Sequence, residues 1–436
     1  MPSSNRLLYL SSNRASNRSV SGLNTTATAL DVCVPDELLR VQGSQIENIF
    51  FTYIFPPLFF IGIIGNCLNL IVLLNGGRRA RRHAHHRSNR LLVALAVCDI
   101  IFLNVLVPHS LVNFDVFGLN YSFRIFYFVT KTHLISVANW CSATAIWLII
   151  AVCTERLLGI RSLLRENSQC SRCTTAHLIT IIVFFSGLLT FYTHFSHHCI
   201  IKRDLCNHTQ VISKCFDVVQ DTWAGNRTNF TPMALRTYVR WSSIANAILI
   251  FIPCAIVLVL NVALLVVVRK QSFLVYKRLS LEQHHCADKR ESAGNSEAAV
   301  HQFNGCREFR KNVDQNTQGH VEHRVTITVA AIVTCFTIFQ IPSAVVLSLS
   351  FIYGHSPPFV SSNPLYYNLI TSAGMLVIIG KTLNFLLFCL SSSAFRSRLF
   401  RKLGMLSRKS SFFATSTASS LRKYSNAADR RQSLAL

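Results

Sequence analysis

The sequence predicts an all-α fold, a bundle of seven membrane-spanning helices. Three observations carry this. Seven long apolar stretches divide the chain. Half of the 436 residues are hydrophobic and only 14% are charged, the profile of a polytopic membrane protein. Basic segments and Asn-x-Ser/Thr sequons fall on opposite sides of those stretches. The stretches are Ile49–Leu74, Leu91–Phe114, Ile125–Thr154, Thr174–Phe195, Trp241–Val268, Val325–Tyr353 and Leu365–Leu390. About 20 mostly apolar residues cross the hydrocarbon as a helix, where an unclosed sheet would leave backbone groups unpaired.

Orientation follows from charge. The loop after the first stretch holds Arg78, Arg79, Arg81, Arg82, Arg87 and Arg90 with no acid, and the segment after Leu390 adds Arg396, Arg398, Arg401 and Lys402. Basic loops stay cytoplasmic, so the N-terminus is expected outside and the C-terminus inside. The net charge of +24 is therefore a topology signal and not a nucleic-acid footprint. Sequons begin at Asn17, Asn24, Asn120, Asn207, Asn226 and Asn229, all on segments assigned outside, where glycosylation occurs.

Composition sets the boundaries. Residues 1–45 are a polar outer tail expected to be disordered. The leading MPSSNRLLYLSSNR lacks the long apolar core of a cleaved signal peptide. Residues 46–400 form the seven-helix domain, with 196–240 as a long outer loop and 269–324 as a polar inner loop expected to be disordered. Residues 401–436 form a basic, Ser/Thr-rich cytoplasmic tail. No internal repeat is visible, which argues against a transporter built from duplicated halves.

The fifteen cysteines divide by compartment. Cys33, Cys199, Cys206 and Cys215 fall outside, where disulfides persist, and four cysteines allow three full pairings. Cys170 and Cys173 form an isolated C-x-x-C on an inner loop. No nucleophile–base pair, phosphate loop or metal-ligand set stands out, so no enzyme, cofactor or metal is expected.

Ionisable residues inside a span are costly and functional. Asp99 stands alone in the second stretch and Lys381 in the seventh. Both lie roughly 12–14 Å from the inner ends of their helices at 1.5 Å per residue. Equal depth and opposite charge predict a pair, with Asn384 one turn from Lys381 on the same face. Asn66 and Asn69 supply amides at a similar level. At the inner end of the third stretch, Glu155 and Arg156 sit in Cys-Thr-Glu-Arg-Leu. Glu322, before the sixth, offers Arg156 a partner, a clasp that can close and open.

These residues, in this order, resemble the rhodopsin-like (class A) G-protein-coupled receptors over about Ile49 to Phe400. Gly65-Asn66, Leu95-Ala-Val-Cys-Asp99, Glu155-Arg156, Pro253, Phe336 with Pro342, and Asn384-Phe-Leu-Leu-Phe388 resemble the family's motifs. Phe395-Arg-Ser-Arg-Leu-Phe400 is similar to the short amphipathic eighth helix that in this family follows the seven-helix bundle and lies along the membrane lipids. Within the family the chain looks most like invertebrate receptors for FMRFamide-like neuropeptides. The resemblance implies an extracellular peptide ligand, a heterotrimeric G protein and a plasma-membrane location. It also implies an activation path through Asp99, Glu155, Arg156, Glu322, Phe336, Pro342, Lys381, Asn384 and Phe388.

The chain departs from the family in places. Lys131 stands where the third span usually carries a cysteine, so the usual cystine to the second outer loop cannot form. A local Cys206–Cys215 bridge is then expected, with Cys33 tied to that loop as the competing arrangement. Lys381 stands where relatives help hold a sodium ion, so its ammonium is expected to replace that ion beside Asp99. Ala138 occupies the position of the acid that amine receptors use. Lys381 lies one turn too deep for a retinal lysine, which would fall at Ile378. His109, Asn113, Asp115, His133, Asn139, Gln340, Tyr367 and Ile370 are expected at the ligand entrance. The hydroxyl cluster Ser407, Ser410, Ser411, Thr415, Ser416, Thr417, Ser419 and Ser420 would recruit arrestin once phosphorylated.

Overall fold

A computed structural model describes residues 33–41, 44–75, 83–162, 172–223, 227–291, 330–346 and 364–391, and helical positions at 327, 349, 396–397, 399–401 and 404. The chain is a helical bundle. Its span helices are α1 (Phe55–Asn75), α2 (His83–Leu111), α3 (Tyr121–Ser162), α4 (Arg172–Thr190), α5 (Met233–Glu291), α6 (Ala330–Val346) and α7 (Pro364–Ser391). Five described helices are long and apolar enough to cross a membrane, and α6 is a shorter apolar helix.

Local chemistry shapes the ends. Before α1, the helix Gln45–Ile49 runs into a π turn, Phe50–Ile54. Pro56 and Pro57 cannot donate to the preceding turn, and the widened turn accommodates the two missing bonds. Asn120 caps α3 by accepting from the Phe123 amide at 3.0 Å. Gly62 lets α1 close on two neighbours. A Cβ there would lie 2.5 Å from Leu103 Cδ1 and 3.2 Å from Thr382 Oγ1, the close approach that small residues allow between membrane helices.

Apolar packing stacks along the bundle. One cluster joins Val72, Leu91, Leu95, Ile149, Leu264 and Phe336, and Leu399 packs into it. That contact sets the helical residues around 399–401 against the bundle, at the position of the expected eighth helix. A second cluster joins Phe51, Phe55, Phe102, Leu103 and Ile378. A third, at one end, joins Val112, Tyr127, Phe128 and Val211.

That end carries a feature the sequence reading did not contain. Between α4 and α5 the chain forms an antiparallel hairpin, β1 (His197–Leu205) with β2 (Gln210–Asp217). Its turn runs through Cys206, Asn207 and His208, all at positive φ, a conformation that asparagine tolerates best of the three. A side cluster packs below it, with Trp223 between the rings of Phe216, His198 and Phe230.

Two expectations are corrected. The Cys206–Cys215 bridge does not form: Cys199 bonds Cys215, and Cys206 bonds Cys33. The register explains this. Cys199 and Cys215 are direct partners across the strands, while Leu205 faces Gln210. Cys215 is therefore five residues, about 17 Å, down β2 from the hairpin tip, beyond the reach of a cystine from Cys206. The second correction concerns the inner loop assigned to 269–324. Residues up to Glu291 continue α5, which is 59 residues long. The stretch from Arg269 to Glu291 has no Gly or Pro, so nothing in it breaks the helix. The rest of that loop lies outside the described residues.

Candidate functional site

The centre of the bundle holds a buried charge pair. Asp99 on α2 and Lys381 on α7 are 1% and 2% exposed. Lys381 Nζ donates to Asp99 Oδ1 at 2.7 Å, and Asn384 Nδ2 donates to Asp99 Oδ2 at 2.7 Å. Both carboxylate oxygens are thereby satisfied, which a charge in low dielectric requires. The ammonium also lies 4.7 Å from the Phe102 ring centre, a cation–π contact. Asn66 turns back onto the Gly62 carbonyl at 2.9 Å and does not join the pair. Asn69 Oδ1 and Asn384 Oδ1 are buried acceptors with no donor among the described residues.

A second polar group lies at the hairpin end. Glu47, 4% exposed, accepts from His109 Nε2 at 3.1 Å, and the His109 Nδ1 pairs with the Tyr127 hydroxyl at 2.7 Å. The imidazole thus bridges the segment before α1 to α3. Lys131 Nζ lies 5.7 Å from the Tyr127 ring centre.

The residues expected at the ligand entrance are distributed unevenly. His109 is in the network just described. Asn113 donates to the His109 carbonyl at 2.7 Å and so closes the end of α2. Asp115 is held by Arg40 at 3.0 Å. His133 Nδ1 lies 2.9 Å from His194 Nδ1. Asn139 is exposed beside Trp140, whose indole donates to Val183 of α4. Gln340 is 9% exposed on α6, and Ile370 is half-buried on α7. The Tyr367 side chain lies outside the described residues.

On the activation path, Phe336 is buried in the first apolar cluster, Pro342 lies within α6, and Glu155 is half-buried near the end of α3. Glu322 and the side chains of Arg156 and Phe388 lie outside the described residues, so the expected clasp does too. Of the sequons, Asn120 and Asn207 are exposed. Asn229 commits its amide nitrogen to the Val218 and Gln220 carbonyls at 2.9 and 2.6 Å. Asn17, Asn24 and Asn226 are outside the described residues.

Sequence reasoning missed Glu47, Tyr127 and Arg124. It also missed a clasp between α5 and α6, where Asn261 Nδ2 donates to Thr334 Oγ1 at 3.0 Å. The signal for Asn261 and Thr334 was visible, as polar residues in apolar helices. Glu47 and Arg124 border their apolar stretches and read as solvated ends.

A helical membrane bundle with a mid-span charge pair and a cystine-closed cap at one end defines a seven-transmembrane-helix receptor. The chain belongs to the serpentine-type seven-transmembrane G-protein-coupled chemoreceptors of the Srw family, whose model matches residues 53–293. It is 36% identical to the Caenorhabditis elegans protein named "Putative G-protein coupled receptor F59B2.13" over 404 residues, covering 91% of this chain and 84% of the relative. It is also 27% identical to the C. elegans protein named "Probable G-protein coupled receptor B0563.6", covering 52% of this chain and 49% of that relative.

Proposed function

We propose that this chain is a plasma-membrane receptor for a small amidated neuropeptide, signalling through a heterotrimeric G protein. The observation that carries the reading is the cap. One cystine cross-links the hairpin and the other ties it to the segment at Cys33, and cystines persist outside the cell. We read the cap as the outer face, which the basic loops support, with the C-terminus in the cytoplasm. Beneath it, Glu47, His109, Tyr127 and Lys131 offer hydrogen bonds and charge of both signs, suited to a polar peptide. An amine ligand lacks its expected anchor, because Ala138 is a buried alanine.

Binding at the cap shifts a pre-existing equilibrium. Pro253 and Pro342 interrupt the hydrogen-bond ladders of α5 and α6, so the inner ends of these helices move most easily. The Asn261–Thr334 bond holds them together in the form described here. Arg156, once free of Glu322, receives the G protein, and the phosphorylated tail receives arrestin. Screening amidated peptides against cells expressing the receptor, read by calcium and cyclic AMP, tests the ligand class. Responses only to non-peptide compounds would overturn it. Replacing Glu322 by Ala removes the clasp and should raise basal signalling. Unchanged basal output at equal surface expression would count against the clasp.

A further inference from the structure

The hairpin is cross-linked to itself and to the N-terminal segment, but neither cystine reaches α3. The link to α3 is a side chain. Arg124, in the first turn of α3, is 2% exposed. Its Nε and Nη2 both donate to the Val211 carbonyl of β2, at 2.9 and 2.7 Å. Its Nη1 donates to the Leu39 carbonyl at 2.8 Å and to the Gly118 carbonyl at 2.6 Å. The guanidinium carbon lies 5.1 Å from the Phe128 ring centre.

We infer that Arg124 is a positioning residue that locks the N-terminal segment, the α2–α3 turn and the hairpin into one cap, in place of a covalent bond to α3. An arginine that merely satisfied itself at a helix start would take a neighbouring carbonyl, as it does with Gly118. Here the other acceptors lie 85 and 87 residues away in sequence. A guanidinium suits this task because its donors form a rigid planar fork pointing in several directions, while an ammonium is a compact point charge. Its removal leaves carbonyls of three segments without a donor, beside the apolar wall of Val112, Tyr127 and Val211. The N-terminal segment adds a matched pair of bonds to the hairpin, Val34 N to Gln210 Oε1 and Gln210 Nε2 to Val34 O, each 2.8 Å. The N-terminal segment and the hairpin are thus held to α3 together. That this hold governs ligand access rests on the receptor reading above; the hub itself does not.

Hydrogen exchange on the purified full-length receptor, without ligand, tests the hub. Arg124→Gln should speed exchange on the order of 10-fold or more in residues 36–41, 112–119 and 209–216 together. The segments around Asp99 and Lys381 should be unchanged. Arg124→Lys keeps the charge and loses the fork, so it should also release the tail and the hairpin, to a smaller extent. Faster exchange confined to 112–119, or full protection with Lys, would overturn the inference. A third variant keeps Arg124 and replaces Cys33 and Cys206 by Ser. Its hairpin should stay protected, and a hairpin released in that variant would show that the cystine does the docking. A cap that behaves as expected on a receptor silent to every peptide would refute the ligand class alone.

Discussion

Lys381 and Arg124 are both cations with 2% of their surface exposed, and the protein neutralises them in opposite ways. Lys381, at mid-span, meets the Asp99 carboxylate at 2.7 Å. Arg124, at the rim, meets three carbonyl oxygens and, among the described residues, no carboxylate. The difference reflects depth. At mid-span there is no water to share a charge, so a full counter-charge is needed. At the rim, the dipoles of three backbone carbonyls suffice, and the guanidinium fork acts as a structural joint. The central pair fixes two helices, and the rim cation gathers three loops.

The largest effect that can break this comparison is Lys381→Ala. Removing one partner of a buried pair costs about 3–5 kcal/mol, because the other charge is stranded. Thermal unfolding of the purified receptor and surface expression should both fall sharply. Asp99→Asn combined with Lys381→Gln should recover part of the loss, since two amides can still hydrogen-bond. A single variant as stable as the parent would show that water reaches the centre, and depth would no longer distinguish the two cations.

Next comes the cystine between Cys33 and Cys206. It closes a loop of 173 residues, and a cystine contributes about 2–4 kcal/mol, chiefly by restricting the unfolded chain. Replacing both cysteines by Ser should lower the unfolding temperature while the folded cap stays docked through Arg124. Peptide mapping without reductant should recover Cys33 linked to Cys206 and Cys199 linked to Cys215. Recovery of a Cys206–Cys215 peptide would contradict the register of the hairpin.

What was legible in the sequence follows the same depth rule. Asp99, Lys381 and Asn384 stood out because a polar side chain is conspicuous in an apolar helix, and helical rise gave their common level. The helices themselves were legible for the same reason. Arg124 and Glu47 were not, because they sit where polar residues are ordinary and their partners are distant. The hairpin had strand-like pieces in Ile200, Ile201, Val211 and Ile212. Cystine pairing there depends on register, which no spacing count supplied. The helical continuation of α5 past Arg269 was hidden by its polarity, since low apolar content says little about helix propensity.

A smaller effect sharpens the rim side. Tyr127→Phe removes the phenol that pairs with His109 Nδ1 and leaves the ring packing in place. One hydrogen bond contributes about 0.5–1.5 kcal/mol net, so a modest loss of stability is expected. A loss comparable to that of Lys381→Ala would mean that Glu47, His109 and Tyr127 behave as a dry, strongly coupled network, and that the rim resembles the centre.

The smallest effect is the control. Arg40 and Asp115 form an ion pair at 3.0 Å, with side chains 49% and 57% exposed. Arg40 directly follows Leu39, whose carbonyl Arg124 holds, so this pair lies over the same cap and differs chiefly in its access to water. Exposed pairs contribute about 0–1 kcal/mol and weaken with salt. Asp115→Asn should therefore leave thermal stability nearly unchanged and hairpin exchange at the parent rate, in both low and high salt. If instead it loosens the hairpin as Arg124→Gln does, the N-terminal segment is held by its surface charge. The buried carbonyl contacts of Arg124 would then be a consequence of docking and not its cause.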